Sequence, residues 1–426
     1  MRADLRCAAR CWLLIVALHV STALSFSTYH RSLNVQGSRK WVAAGTAKRS
    51  LSSPSLTRVH RKTPPFLAAA SADEISEAVE VVASTPKPGK SNLSLRPTSI
   101  GACAAPQIMP NSDLEAMAHL ETTDEWISSR TGISARHLLP TGMGLKELAT
   151  TAAMQALEGS TVAAEDIDLV IVATSSPDDL FGDAAAVAAS IGATNAVAFD
   201  LTAACSGFLF ALVTGSQFLH NGAYKNAIVV GADALSRWVD WDDRNSCILF
   251  GDGAGAMLLE GSSGDSPDDF GLLGFEMHSN GKDQRHLTLG YQGDTVELAD
   301  GKHTVTRGAY APIGMNGREV YKFATREVPN VLNEAIANAG LTVDDVDWLV
   351  LHQANIRIME IVASRLGIPM DKVITNLSEH GNTSAGSIPI ALEEAVRTGK
   401  VKKGDVIAMA GFGAGLSWGS AIIRWG

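Results

Sequence analysis

Three residues stand in surroundings that could support chemistry: Cys205, His352 and Asn382. Cys205 lies in DLTAACSGFLFALVTGSQFLHNG, after a strand-like AVAFDL and just before an apolar helix that opens near Ser206. No charge occurs between Asp200 and Lys225, but Ser206, Gly207, Gly215, Ser216, Gln217, His220 and Asn221 interrupt the run. That predicts a helix buried on all sides rather than a membrane span. A thiol at the N-terminus of such a helix meets the positive end of the macrodipole, which favours thiolate. His352 ends the apolar segment of LVLHQANIRI, and open α/β sheets place their ligands at strand ends. Asn382 sits in SEHGNTSAGSIPIALEEA, a Gly-punctuated loop that opens a helix. Each residue alone has a plainer reading. Buried cysteines are commonly core packing, a lone strand-end His is a hydrogen-bonded core imidazole, and the Asn also fits a helix cap or a glycosylation sequon. Together, a thiol nucleophile with His and Asn donors is the layout for covalent acyl transfer.

The elements that must hold these groups repeat. Asp166-Ile167-Asp168 leads into LVIVATSS, and Asp345-Val346-Asp347 leads into WLVLHQAN. Each is an acidic start followed by the short β-rich apolar run of a buried strand. Gly222 and Gly399 then end helices before AIVVGADA and VIAMAGFGAG. Asp166 and Gly231 are 65 residues apart, Asp345 and Gly411 are 66, so two similar α/β halves follow one another at a period near 179. The period places Cys205 and Asn382 in corresponding loops, 39 and 37 residues after their acidic starts. Helices expected at 143–157, 206–220, 328–339, 357–366 and 388–397 make parallel, layered sheets the natural architecture. The final GFGAGLSWGSAIIRWG lacks the helix and later acid of a dinucleotide fingerprint, since the chain ends eleven residues after Gly415. A close backbone approach with N–H groups aimed at an oxyanion fits it better. FGDGAGAMLLEG at 250–261 reads as strand, turn and strand with close Gly packing, against which ordinary turn glycines are the plainer and preferred reading.

The net charge of −10 averages two unlike parts. Residues 1–72 carry eleven Lys/Arg against Asp4 alone, whereas the body from Arg96 carries 22 bases and 40 acids. A body this acidic excludes a general nucleic-acid binder. Arg2, Arg6 and Arg10 precede an apolar run from Cys11 to Leu24, too short for the ~20 residues of a membrane span but suited to a signal peptide over 1–25. Residues 26–72 are basic, Ser/Thr-containing and free of acids, like a transit segment, and 73–95 read as a linker. Such a bipartite leader resembles those of proteins delivered to the stroma of a chloroplast or secondary plastid. Beyond it Cys103, Cys205 and Cys247 form no disulfide framework.

With these residues in view, the chain from Arg96 to Gly426 resembles the thiolase-like condensing enzymes, specifically the 3-oxoacyl-[acyl-carrier-protein] synthase III family of plastid type. The matching motifs are TTDEWISSRTGISARH, DLTAACSGF, FGDGAGA, MNGREVYKFA, LHQANIRI, HGNTSAGSIPIAL and GFGAGLSWGSAIIRW. The resemblance implies a five-layered αβαβα fold of two βαβαβαββ halves, 96–272 and 273–426, acting as a homodimer. It makes Cys205, His352 and Asn382 the catalytic triad, with the backbone N–H groups of Cys205 and Ala414 as oxyanion hole. It places Trp126, Arg130, Arg244, Gly317 and Asn355 along the CoA and pantetheine path. Phe181 of a facing subunit would close the acyl pocket, and Lys322, Arg357 and Arg365 would dock the acidic carrier protein. The implied reaction joins a short acyl-CoA to malonyl-acyl carrier protein through acyl-Cys205, with no cofactor, metal or membrane insertion of the mature body. Ala414 and Gly386 depart from the family's common Gly and Ala.

Other classes compete. Elongating ketosynthases use Cys-His-His and thiolases a second Cys, and Asn382 with no Cys after Cys247 disfavours both. Type III polyketide synthases share Cys-His-Asn and use malonyl-CoA. A non-catalytic thiolase-like binding protein predicts loss of a triad member, whereas all three are present.

Overall fold

The computed structural model describes residues 94–262 and 271–426. The expected signal peptide 1–25, the transit-like segment 26–72 and residues 73–93 of the linker lie outside the described residues. Ser94 and Leu95, read as linker, already belong to the first strand.

Two five-stranded sheets carry the body. The first is built from β1 (Ser94–Ala104), β2 (Leu169–Ala173), β3 (Val197–Leu201), β4 (Asn226–Ala234) and β5 (Asp252–Ser262), in the order β1-β5-β4-β2-β3. The second is built from β6 (Gly271–Ser279), β7 (Trp348–Leu351), β8 (Val373–Ile374), β9 (Val406–Gly413) and β10 (Ser417–Arg424), in the order β6-β10-β9-β7-β8. The two orders are the same path run twice. In each, the central pair is parallel (β2 with β4, β7 with β9) and the strand after it returns antiparallel. The boundary expected at 272/273 falls two residues into β6.

Seven helices matter here: α1 (Asp124–Thr131), α2 (Leu145–Glu158), α3 (Ala184–Ser190), α4 (Gly207–His220), α5 (Gly317–Asn338), α6 (Ile356–Leu366) and α7 (Ser387–Arg397). The core explains the layering. Val170, Val172, Ile228 and Val230 face Leu148, Ala152 and Val187 of α2 and α3 on the outside of the first sheet. The alternate residues Ile171 and Val229 face inward, onto Phe208 and Leu212 of α4. That same central cluster takes in Ile388 and Leu392 of α7 and Val350, Ile407 and Met409 of the second sheet. Leu349, Ala408 and Ile422 cover the far side against α5 and α6. Strands covered on both faces must be apolar at every position, so LVIVA shows no alternation. The layers run αβαβα.

Two expectations need correction. Residues 252–262 form one unbroken strand, so the glycines of FGDGAGAMLLEG are not turn residues. A Cβ on Gly253 would stand 2.8 Å from Ile390 Cδ1, and one on Gly255 2.7 Å from Pro389 Cβ. They let α7 lie directly on the strand. The helix expected at 328–339 begins instead at Gly317, capped by Asn316 Oδ1 accepting from the Glu319 N–H. Pro329 lies inside this helix, buried, where it has no N–H to donate to the Thr325 carbonyl. The freed carbonyl is taken by Arg365 of α6, whose Nη1 donates to it at 2.8 Å.

Candidate active site

Two short turns meet between the sheets. Ala204–Ser206 precedes α4 and Ser384–Gly386 precedes α7, and the first residue of each is left-handed, with φ of 48° at Ala204 and 50° at Ser384. The duplication therefore repeats a strained backbone turn as well as a topology. Close approach needs glycine at two points. A Cβ on Gly231 would stand 2.2 Å from the Ala385 carbonyl, and one on Gly413 2.7 Å from the Cys205 nitrogen. Gly386 is explained in the same way, since a methyl there would lie 2.8 Å from the Gly253 carbonyl.

Ser384 ties the three chemistry-bearing residues together. Its hydroxyl donates to Cys205 Sγ at 3.3 Å, and its N–H donates to Asn382 Oδ1 at 2.9 Å. Its carbonyl accepts from Ser387 Oγ at 2.8 Å, and Ser387 Oγ is 2.8 Å from His352 Nδ1. Because Asn382 Oδ1 accepts, its Nδ2 is the end left to offer two N–H donors. The Asn382 backbone is itself pinned by bonds to Leu249 and Gly251. His352 packs edge-on against Phe412 with ring centroids 5.3 Å apart. Burial drives the imidazole down to about 3, so it is neutral.

Cys205 contradicts the expectation of a resting thiolate. Burial pushes the thiol up to about 12, the Ser384 bond lowers it, and the charge of Asp233 adds to the rise. The helix end is outweighed by desolvation, and the group rests as a thiol. Asp233 is a residue that motif reading passed over. It is 0% exposed, and its Oδ1 accepts from Thr174 Oγ1, the Ser175 N–H and Ser176 Oγ, while Oδ2 accepts from the Ala385 N–H. Burial holds its carboxyl above the usual range, against the opposing bond from Ser384. The available signal was one acid inside the apolar AIVVGADA.

A second cluster begins three residues beyond His352. Asn355 Oδ1 caps α6 at the Arg357 N–H (2.9 Å) while its Nδ2 donates to the Arg130 carbonyl (3.1 Å). Arg357 Nη2 donates to the Ser129 carbonyl at 2.9 Å. The guanidiniums of Arg130 and Arg244 each lie 4.8 Å from the centre of the Trp126 ring. Three of the chain's cations thus converge at the end of α1. Gly317 opens α5, with Met315 Cε 3.9 Å away as the sole near neighbour of a Cβ. Lys322 lies one turn along, ion-paired to Glu319 at 2.7 Å, and Arg365 is bonded to Thr325 rather than grouped with Arg357. Phe181 is 100% exposed within one copy. Ala414 follows Gly413, and its carbonyl accepts from Ser417 Oγ at 2.9 Å. Among the described residues no group of three or more His, Cys, Asp or Glu could hold a metal, and no helix is long and apolar enough to cross a membrane.

Comparison with known proteins agrees with this arrangement. Two family models match, 3-oxoacyl-[acyl-carrier-protein (ACP)] synthase III over residues 199–281 and its C-terminal counterpart over 336–425. A beta-ketoacyl-[acyl-carrier-protein] synthase III of Microcystis aeruginosa is 56% identical over 329 residues, covering 77% of this chain and 97% of the relative. One of Thermosynechococcus vestitus is 54% identical over 328 residues, with 77% and 97% covered. The solved 3-oxoacyl-[acyl-carrier-protein] synthase III of Aquifex aeolicus superposes with a TM-score of 0.69 at 38% identity, covering 78% of this chain and 100% of that one. Sequence, fold and the meeting of a thiol, an imidazole and an amide at one turn thus place the chain in the 3-oxoacyl-[acyl-carrier-protein] synthase III family of condensing acyltransferases.

Proposed function

We propose that the enzyme begins fatty acid chains by joining acetyl-CoA to malonyl-acyl carrier protein, releasing CoA and CO2. The observation that carries this is Ser384, one residue whose hydroxyl, N–H and carbonyl gather Cys205, Asn382 and His352. Cys205 takes the acetyl group as a thioester. Malonyl-carrier enters next, and loss of CO2 leaves an enolate whose oxygen needs two donors. Asn382 Nδ2 is one. His352 Nε2–H is the other, which requires Nδ1 to accept and the Ser387 proton to turn from the Ser384 carbonyl to Nδ1. A neutral imidazole in a dry pocket is suited to this, because it donates without carrying charge into the site. The enolate carbon then attacks acetyl-Cys205. Gly413 brings the Ala414 backbone alongside the Cys205 N–H, the pair that would hold the tetrahedral oxyanion.

Trp126 and Arg244 would take the CoA adenine between them, with Arg130 beside its phosphates and Gly317 and Asn355 along the pantetheine. The cluster of Arg130, Arg244 and Arg357 supplies a positive mouth on an acidic body, as docking of an acidic carrier requires. Lys322, held by an exposed and weak ion pair to Glu319, would exchange it for an acid of the carrier. β3 ends the first sheet with Val197 50% exposed, and Leu180 and Phe181 are bare beside it. A sheet edge and an apolar loop left open in one copy support a homodimer in which Phe181 reaches the partner's acyl pocket. The leader supports a plastid address. Purified residues 94–426 with acetyl-CoA and either malonyl-carrier or malonyl-CoA test the reaction. Product from malonyl-CoA but not malonyl-carrier makes it a polyketide-type enzyme, and full activity in Cys205→Ala defeats the mechanism.

A further inference from the structure

The geometry points to Asp233 and Ser384 as a proton relay for Cys205. This rests on Cys205 being the nucleophile. Three observations support it. Ser384 Oγ donates to Cys205 Sγ at 3.3 Å, and the same hydroxyl is among the groups that lower the Asp233 carboxyl, which places it between thiol and carboxyl. Asp233 is fully buried and accepts four further donors, yet among the described residues no cation neutralises it. The thiol beside it rests protonated, so something must take its proton when the thioester arrives.

In the relay, the Cys205 Sγ–H bond breaks and that proton moves to Ser384 Oγ. The proton Ser384 held moves to the Asp233 carboxylate. No electrons change hands. Ser384 is left donating to the thiolate across the 3.3 Å contact between Oγ and Sγ. The thiolate attacks the acyl-CoA, and CoA leaves as a thiolate that water protonates. Condensation later frees Cys205 as thiolate, and the proton returns from Asp233 by the same path. The pocket carries one negative charge before and after each transfer, so no net charge enters a dry site, where it would be costly. Burial raises the proton affinity of the carboxyl, which makes it a better acceptor than an exposed aspartate.

The surroundings contain nothing else to do this. The segments against the thiol and the carboxyl are 174–176, 203–207, 231–234, 252–254, 382–387 and 411–414. Besides Asp233 the one charged residue on them is Asp252, which pairs with Ala234 and is bonded instead by the Leu139 N–H and by the N–H and Oγ of Ser236. His352, reached through Ser387, is a neutral imidazole.

The test is the pH dependence of alkylation of Cys205 by iodoacetamide, read peptide by peptide by mass spectrometry. An internal transfer makes the thiolate fraction independent of pH while the pocket holds one proton. The wild-type rate is therefore expected to be flat from about pH 6 to 8, whereas an unassisted thiol gains about tenfold per unit below its pKa. Asp233→Asn and Ser384→Ala should both restore that slope and slow alkylation at pH 6 about 100-fold. Asp233 acting only through its charge predicts the opposite sign, since removing it would speed alkylation. A wild-type slope of tenfold per unit, or a flat and fast Ser384→Ala profile, overturns the relay. The wild-type profile decides even where a variant does not fold. The probe is not a substrate, so the outcome is independent of whether malonyl-carrier proves to be the second substrate.

Discussion

Replacing Arg365 with alanine separates two roles for that side chain. Its Nη1 donates at 2.8 Å to the Thr325 carbonyl, the acceptor that Pro329 leaves without a helical partner. Thr325 is 8% exposed, so water cannot easily take over the carbonyl. Leaving a buried acceptor unpaired costs ~1–3 kcal/mol, and the exposed position of Arg365 favours the lower half of that range. Arg365→Ala should therefore lose about 1 kcal/mol, a fall of about 2–4 °C in Tm. Pro329→Ala restores an N–H to the same carbonyl. In that background Arg365→Ala should cost little, and the four proteins of the cycle, followed by thermal unfolding, should show a coupling of about 1 kcal/mol. Equal losses in both backgrounds, or none in either, refute the capping role. A pure docking role would raise the KM for malonyl-carrier and leave all four melting temperatures in step.

His352 is held down to about 3 by burial, and His380 to about 4 by burial and then the stacked His137, with Glu394 opposing. The unfolded chain, with histidines near 6.5, binds more protons than the folded one between those values. Stability should therefore be full above about pH 6.5 and fall as the pH drops toward 4, with His380→Gln flattening the dependence of Tm on pH. Gly386→Ala puts a methyl 2.8 Å from the Gly253 carbonyl and should cost ~1–3 kcal/mol by thermal unfolding, with slower acylation of Cys205 as the turn moves. Ser387→Ala removes the partner that fixes the His352 tautomer. It should lower malonyl-carrier decarboxylation while leaving iodoacetamide labelling of Cys205 unchanged, and a 15N spectrum of the imidazole should report the lost tautomer preference.

What the sequence exposed and what it hid divide along a physical line. The Asp-x-Asp starts and apolar runs betrayed the duplication, because a strand buried on both faces must be apolar throughout. Cys205, His352 and Asn382 were legible because their work is done by side-chain atoms that few residue types possess. Ser384 was hidden because two of its three links use the backbone N–H and carbonyl that every residue carries. The left-handed φ that aims them leaves no trace in a residue type other than glycine. The first turns of α5 were hidden for a related reason: what Pro329 does inside it depends on a carbonyl four residues back and on an arginine from another helix, 36 positions on. The exposed hairpin of Tyr291–Glu297 and Thr304–Tyr310 escaped because its residues are exposed on both faces, so burial imposes no alternation; its Gly293 and Gly308 are steadied by Tyr291, whose hydroxyl accepts from the Gly308 N–H at 3.0 Å. Asp233 is the instructive middle case. An acid in an otherwise apolar strand costs several kcal/mol unless it is fully hydrogen-bonded or uncharged. Its presence in AIVVGADA was therefore a statement that polar groups must converge there, and those that do are Thr174, Ser175 and Ser176, just past the end of β2, and Ala385 of the turn that duplicates the nucleophile's.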